Sequence, residues 1–149
     1  MEPKEKKYIE LANNIKALIY GEDDLISKMS TVSCEVFHAF DEFNWVGFYR
    51  KTGERTLKVG PYQGGHGCLV IDFDRGVCGK CAREERVQVE NDVSKLPYHI
   101  ACSSETRSEI VLPVIRNGEL VAVFDIDSPV PGLFDGTDEK YLHEIIDLI

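Results

Sequence analysis

A strand-turn-strand pattern near the end of the chain constrains the fold more than any other feature. Two apolar runs, residues 109–115 and 119–127, are separated by an Arg-Asn-Gly turn at residues 116–118. Asn-Gly is a strong hairpin signal, because both residues readily adopt the positive φ of a two-residue turn. The pattern therefore predicts two antiparallel strands. On the second strand, simple alternation assigns one face to Val121, Val123, Asp125 and Asp127.

The acidic residues of this hairpin need a reason to lie on an apolar strand. Burying an unpaired anion is costly, so Asp125 and Asp127 indicate a bound cation, a nearby arginine or a capping role. For Asp127, a simple turn with Ser128 and Pro129 explains the residue equally well. The strand directions also permit Glu109, at the start of the facing strand, to lie beside the two aspartates.

The rest of the chain predicts helices and further strands around this hairpin. Apolar spacing and caps predict a helix that ends near Gly21, a second helix capped by Asp23 or Asp24, and a last helix from a Thr137 cap to Ile149. Strand-like runs cover residues 43–49, 56–59, 68–72 and 87–90, and residues 75–86 predict a helix. The expected fold is a single α+β domain over residues 1–149, with a central antiparallel sheet flanked by helices.

Four of the five cysteines lie within residues 60–102, a concentration that favours function over packing. Cys68 follows a glycine-rich loop predicted for residues 60–67, and Cys102 lies in a long loop, residues 91–108, that we expect to act as a lid. Cys78 falls in the first turn of a predicted helix, where exposed N–H groups are expected to lower its pKa. Cys78 and Cys81 form a C-x-x-C pattern, which is typical of a redox pair or half a zinc site.

Composition narrows the partners and the compartment. A net charge of −9 with scattered basic residues argues against nucleic acid as a partner. The sequence shows no apolar run long enough to span a bilayer and no secretory leader, so we expect a cytoplasmic protein with no membrane partner. In that reducing compartment, an odd number of cysteines suits catalytic or redox thiols better than a structural disulfide framework.

The candidate residues could combine into a redox site. Alternation places Trp45, Gly47 and Tyr49 on one face of a strand, either as core or as a small box for an apolar or sulfur-bearing ligand. If the three acids converge with Cys102, they could hold a cationic group and donate a proton while the thiolate attacks. That set suits reduction of a sulfoxide on an amine-bearing molecule, with a second cysteine, such as Cys68 or Cys78, resolving the sulfenic acid.

The sequence resembles the free methionine-(R)-sulfoxide reductases, small enzymes of the GAF fold. The resemblance covers nearly the whole chain, in order, with matching spacing between the cysteines. It is carried by Asn44-Trp-Val-Gly-Phe-Tyr49, Gly60-Pro-Tyr-Gln-Gly64, Arg75-Gly-Val-Cys-Gly79, His99-Ile-Ala-Cys102, Ser108-Glu-Ile-Val-Leu-Pro113 and Phe124-Asp-Ile-Asp-Ser128.

The resemblance implies an L-methionine (R)-S-oxide reductase that acts on the free amino acid, uses thioredoxin as external reductant, serves the response to oxidative stress and holds no bound cofactor or metal. It implies that Cys102 attacks, that Cys68 resolves, and that Cys78 is a third cysteine able to form an alternative disulfide. The remaining roles that it implies are substrate binding or proton donation by Glu109, Asp125 and Asp127, and a pocket wall of Trp45 and Tyr49.

Two alternatives remain open at this point. The first is a GAF domain that senses a small molecule without turnover. The second is a zinc site formed by Cys68, Cys78, Cys81 and Cys102, although their spacing lacks the two paired knuckles usual in such sites. Cys81 departs from the family pattern, in which we expect a small residue. Whether two copies form a homodimer is not decided by the sequence.

Overall fold

A six-stranded antiparallel sheet runs through the centre of the computed structural model, which describes residues 1–97 and 105–149. The strand order across the sheet is β3-β2-β1-β6-β5-β4. In chain order the helices and strands are α1 (Pro3–Leu18), α2 (Leu25–Ala39), β1 (Trp45–Gly53), β2 (Thr56–Gly64), β3 (Val70–Asp72), α3 (Gly76–Glu84), β4 (Gln88–Glu90), β5 (Ser108–Arg116), β6 (Glu119–Ser128) and α4 (Gly136–Ile146). The predicted α+β fold with a central antiparallel sheet is confirmed.

The two faces of the sheet carry different layers because strand side chains alternate in direction. Val46 and Phe48 of β1 point into the larger core, where they pack with residues of α1, α2 and α4. Trp45 and Tyr49 point the other way, into a smaller cluster with Val77 and other residues of α3. The predicted alternation along β1 is therefore confirmed, and α3 packs on the face that carries Trp45.

The predicted hairpin between β5 and β6 is present, with one local irregularity. Asn117 and Gly118 adopt φ of 55° and 78°, the left-handed values that a tight hairpin turn requires. Beyond the turn the register shifts, so that Val121 packs against the larger core and Leu120 joins the α3 side. Placing Val121 on the same face as Asp125 was therefore wrong, because this bulge breaks the alternation.

Several element boundaries differ from the sequence prediction. The strand predicted to end at residue 59 continues to Gly64, because β2 pairs with β1 along its length, so residues 60–64 are not loop. Helix α3 ends before residue 86, since Glu85 takes a left-handed φ of 53°. Asp24 caps α2 as predicted, whereas α4 is capped by Asp135 rather than by Thr137.

The lid prediction falls largely on residues 98–104, which lie outside the described residues. The described part of that connection contains a short 3-10 helix, Val93–Lys95. Among the described helices, none is long and apolar enough to cross a membrane.

Candidate functional site

Three acidic side chains lie together on adjacent strands at the α3 face of the sheet. In the register of β5 and β6, Glu109 is paired with Asp127, and Asp125 lies two residues before Asp127 on β6. On the other side of β6, Trp45 is paired with Asp127 and Gly47 with Asp125. We call Glu109, Asp125 and Asp127 the acid cluster. The predicted convergence of these three residues is present.

The acid cluster is largely buried and has no basic partner within the part of the chain that the structure describes. Glu109 is 7% exposed and Asp125 is 4% exposed. Oδ1 of Asp125 and Oδ1 of Asp127 are buried and have no hydrogen-bond partner among the described residues. None of the salt bridges found within residues 1–97 and 105–149 includes a member of the cluster. Buried carboxyl oxygens of this kind are costly unless a ligand or a proton satisfies them.

Burial and the neighbouring negative charges raise the pKa of both aspartates of the acid cluster. Burial raises the pKa of Asp125 well above its usual range, and the negative charges of Asp127 and Glu109 raise it further. The pKa of Asp127 is raised for the same reasons, first by burial and then by the charge of Glu109. Because neighbouring carboxylates in a dry site resist ionising together, the cluster retains a proton at a pH where ordinary carboxyls have lost theirs.

Aromatic rings form a wall beside the acids. The rings of Trp45 and Tyr49 are stacked, with centroids 5.5 Å apart and planes 20° from parallel. Tyr62 stacks on Trp45 with a centroid distance of 5.2 Å. The Trp45 indole donates from Nε1 to the carbonyl oxygen of Gly65, 3.0 Å away, which fixes the ring under the loop after β2. Trp45 and Tyr49 are thus buried and rigidly held.

The loop after β2 approaches this wall closely. A Cβ added at Gly67 would lie 2.9 Å from the Trp45 ring and 2.9 Å from the hydroxyl oxygen of Tyr49. Only glycine fits there without displacing a ring. Burial raises the pKa of Tyr49, and the charge of Asp125 raises it further, so the phenol stays protonated and can donate a hydrogen bond into the pocket.

Cys78 faces the acid cluster from α3. Its Sγ and one carboxylate oxygen each of Glu109 and Asp125 lie within 4.8 Å of one another. Burial raises the pKa of Cys78, and the charges of Asp125 and Glu109 raise it further. The predicted lowering of this pKa was therefore wrong, because the dry environment and the facing acids outweigh the N–H groups of the helix start. Cys78 is a thiol near neutral pH.

The other cysteines occupy different environments. Cys68 is half-buried and disulfide-bonded, whereas Cys34, Cys78 and Cys81 are free thiols. Cys81 is fully buried, and burial raises its pKa. The C-x-x-C pattern therefore does not form a disulfide in this structure. Cys102, the predicted nucleophile, lies outside the described residues.

Sequence reasoning missed two residues of the site. Tyr62 extends the aromatic wall. A strand prediction that continued past residue 59 would have found it, because β2 pairs Tyr62 with Gly47. Asn44 precedes β1, donates its backbone N–H to the carbonyl of Asp127 at 3.0 Å, and keeps a buried side-chain oxygen without a partner among the described residues. No local pattern in the sequence indicated that role for Asn44.

The class of the protein follows from the sheet, its helical layers and the site beneath α3: it is a GAF domain. A family model described as GAF domain matches residues 21–149. Protein YtsP of Bacillus subtilis is 42% identical over 98% of this chain and 90% of its own length. Free methionine-R-sulfoxide reductase of Saccharomyces cerevisiae is 38% identical over 98% of this chain and 85% of its own. The X-ray structure of free methionine-R-sulfoxide reductase from Neisseria meningitidis, in complex with its substrate, is 36% identical, covers 99% of this chain and 89% of its own, and gives a TM-score of 0.93.

This chain therefore belongs to the free methionine-R-sulfoxide reductase family of GAF domains.

Proposed function

We propose that this protein reduces free L-methionine (R)-sulfoxide to L-methionine. The observation that carries the proposal is the acid cluster, in which one buried oxygen each of Asp125 and Asp127 has no hydrogen-bond partner among the described residues. Within those residues no salt bridge to a basic side chain includes a member of the cluster. The ammonium group of a free amino acid supplies the missing cation. A peptide-bound methionine has an uncharged amide at that position, so the same acids would disfavour it.

The relatives support this assignment of substrate. The yeast relative is named for the reduction of free methionine-R-sulfoxide, and the Neisseria protein of the same name has been solved with its substrate. Both match almost the whole of this chain. A sensor without turnover has no specific support from the described residues, because the site combines acids with raised pKa and a nearby disulfide.

In the proposed mechanism the acid cluster has two tasks. One ionised carboxylate binds the substrate ammonium, while a protonated neighbour, Glu109 or one of the aspartates, donates its proton to the sulfoxide oxygen. The raised pKa of Asp125 and of Asp127 supports the second task, since a donor must still hold its proton at working pH. Trp45 and Tyr49 would enclose the methyl group and hold the sulfur in line for attack.

The thiol steps complete the reaction. The Cys102 thiolate attacks the sulfoxide sulfur, oxygen and its new proton pass to the cysteine, and methionine leaves with a Cys102 sulfenic acid behind. Cys68 then displaces water from that sulfenic acid and forms a disulfide, which thioredoxin reduces by exchange. Cys68 is already disulfide-bonded in the structure, which supports its role as the resolving thiol. Cys78, buried and protonated, serves as a reserve partner.

Replacing single cysteines tests this mechanism. We expect Cys102→Ser to abolish turnover of free L-methionine (R)-sulfoxide with a dithiol reductant. Cys34→Ser should keep wild-type turnover, because Cys34 lies on α2 and its sulfur contacts only His38, at 3.8 Å, among the described polar groups. Full turnover by the Cys102→Ser variant would remove Cys102 from the mechanism.

A further inference from the structure

We propose that the fully reduced protein binds one thiophilic divalent cation, such as Zn²⁺ or Cd²⁺, through Cys78, Glu109 and Asp125, and that this ion excludes the substrate. The exclusion rests on the proposed function, whereas the binding does not. The three ligand atoms already lie within 4.8 Å of one another. Zinc bonds of roughly 2.0–2.3 Å set tetrahedral ligands about 3.5 Å apart, so shifts on the order of 1 Å would close the set.

A second observation points to a cation at this place. Asp125 is 4% exposed and its Oδ1 has no hydrogen-bond partner among the described residues, although it lies beside two further acids. Among the described residues, the charged groups that act on Asp125 are Asp127 and Glu109, both acidic. A site that concentrates negative charge in a dry environment favours a doubly charged ion even more than an ammonium group.

The donor set selects the class of metal. One sulfur with two carboxylate oxygens suits borderline and soft ions such as zinc and cadmium, whereas magnesium and calcium prefer oxygen alone. The metal would displace the proton from the Cys78 thiol, as metals generally do when they bind cysteine. Three protein ligands leave a fourth tetrahedral position for water or for the unpartnered oxygen of Asp127.

The same geometry makes metal and substrate compete. The proposed mechanism uses Glu109 and Asp125 for the substrate ammonium and the sulfoxide oxygen, and a bound metal would occupy both. Cys78 is neither the nucleophile nor the main resolving thiol in that mechanism, so its sulfur is available to bind the metal. A bound metal would then slow turnover by occupying the substrate pocket.

The test is a cadmium titration of reduced, metal-free protein that carries Cys102→Ser, which removes turnover and the proposed disulfide. We expect one equivalent of Cd²⁺ to produce the ultraviolet cadmium–thiolate band. Adding Cys78→Ser should abolish the band, Asp125→Asn should weaken binding at least tenfold, and Cys81→Ser should leave both unchanged. A cadmium–thiolate band that survives Cys78→Ser, or that disappears with Cys81→Ser, would refute the proposed metal site. Circular dichroism would check that each variant is folded.

Competition separates this inference from the proposed function. In the same Cys102→Ser protein, free L-methionine (R)-sulfoxide should raise the apparent dissociation constant of Cd²⁺, and its N-acetyl derivative should not. Absence of the cadmium band would refute the metal site whatever the enzyme's activity. If the free sulfoxide left the cadmium titration unchanged, the proposed exclusion of substrate would be refuted. The proposed metal site would remain supported.

Discussion

Replacing Asp125 with asparagine should make the protein more stable, although the residue lies in the core of the site. Asp125 is 4% exposed, its Oδ1 lacks a partner among the described residues, and burial raises its pKa. Asparagine has nearly the same shape, carries no charge, and can donate its amide N–H groups to the carboxyls of Glu109 and Asp127. The substitution therefore removes a buried carboxyl group whose Oδ1 has no hydrogen-bond partner among the described residues.

The size of the effect follows from the cost of an unsatisfied buried group. That cost is about 1–3 kcal/mol, and for a chain of this length each kcal/mol moves the midpoint of thermal unfolding by about 2–4 °C. The Asp125→Asn variant should thus melt about 2–12 °C higher. Its free energy of unfolding at neutral pH should exceed that of the wild type by about 1–3 kcal/mol.

The pH dependence carries the sharper test. A raised pKa means that folded Asp125 holds its proton where the unfolded carboxyl, with a pKa of about 3.9, has lost it. Folded protein then binds more protons than unfolded protein, so the wild type loses stability as pH rises above about 4. Asparagine does not titrate, so the advantage of the variant should grow from pH 5 to pH 8 in urea unfolding, on the order of 1 kcal/mol per unit of pKa shift.

Asp138 provides a matched control with the opposite sign. It is fully buried like Asp125, but it forms a salt bridge with Lys4 and accepts a hydrogen bond of 2.6 Å from Tyr8. Asp138→Asn should lower the free energy of unfolding by about 1–3 kcal/mol, because it removes the buried negative charge that pairs with Lys4. If Asp125→Asn lowered stability as Asp138→Asn does, or gave the same difference from wild type at pH 5 and pH 8, the account of the acid cluster would be refuted.

Three further predictions concern the pH profile, the pocket and a helix cap. The rate of turnover should fall at alkaline pH, because the raised pKa of Asp125 and of Asp127 places loss of the donated proton there. It should also fall at acid pH, where the attacking thiolate is protonated, and a flat steady-state profile would contradict both expectations. Gly67→Ala should lower kcat/KM about 10–100-fold, because the new methyl group would collide with the Trp45 ring and the Tyr49 hydroxyl. Gly65→Ala is the control and should keep the wild-type kcat/KM, because a Cβ at Gly65 has nothing within 4 Å. Asp135→Ala should lower the free energy of unfolding by about 1 kcal/mol, because it removes the capping box of α4. An unchanged midpoint of thermal unfolding would show that this cap does not stabilise the start of the helix.

The parts of the fold that depend on local signals could be predicted from the sequence. The Asn117-Gly118 turn fixed the last hairpin, and alternation correctly separated Trp45 and Tyr49 from Val46 and Phe48. The bulge that turns Val121 to the other face could not be predicted from the local sequence, because a valine can pack in either hydrophobic cluster. Contacts between neighbours in sequence were therefore easier to predict than irregularities set by a partner strand.

The site shows the same limit more clearly. The pairing of Trp45 with Asp127 joins strands far apart in the chain, and no periodicity indicates that β1 lies beside β6. Only the family resemblance brought the aromatic and acidic residues together. The pKa of Cys78 was predicted with the wrong sign, because its position in a helix is local information, whereas its burial against Glu109 and Asp125 is not.

The same non-local effect explains the cap of α4. Asp135 and Thr137 are both good cap residues in the sequence, and the chain begins the helix at Gly136, which selects Asp135. Its partner in the capping box, Asp138, is also held by Lys4 and Tyr8 of α1. A contact from the other end of the chain thus supports the choice of helix start.

The central claim is that the acid cluster recognises the ammonium group of a free methionine sulfoxide and supplies a proton to its oxygen. Thioredoxin-coupled NADPH oxidation tests it most directly, with free L-methionine (R)-sulfoxide, its (S) epimer and the N-acetyl (R)-sulfoxide measured in parallel. We predict turnover of the free (R) form alone, and loss of that turnover in Asp125→Asn. Equal turnover of the N-acetyl compound would contradict the claim, because that molecule has no ammonium group for the acids to bind.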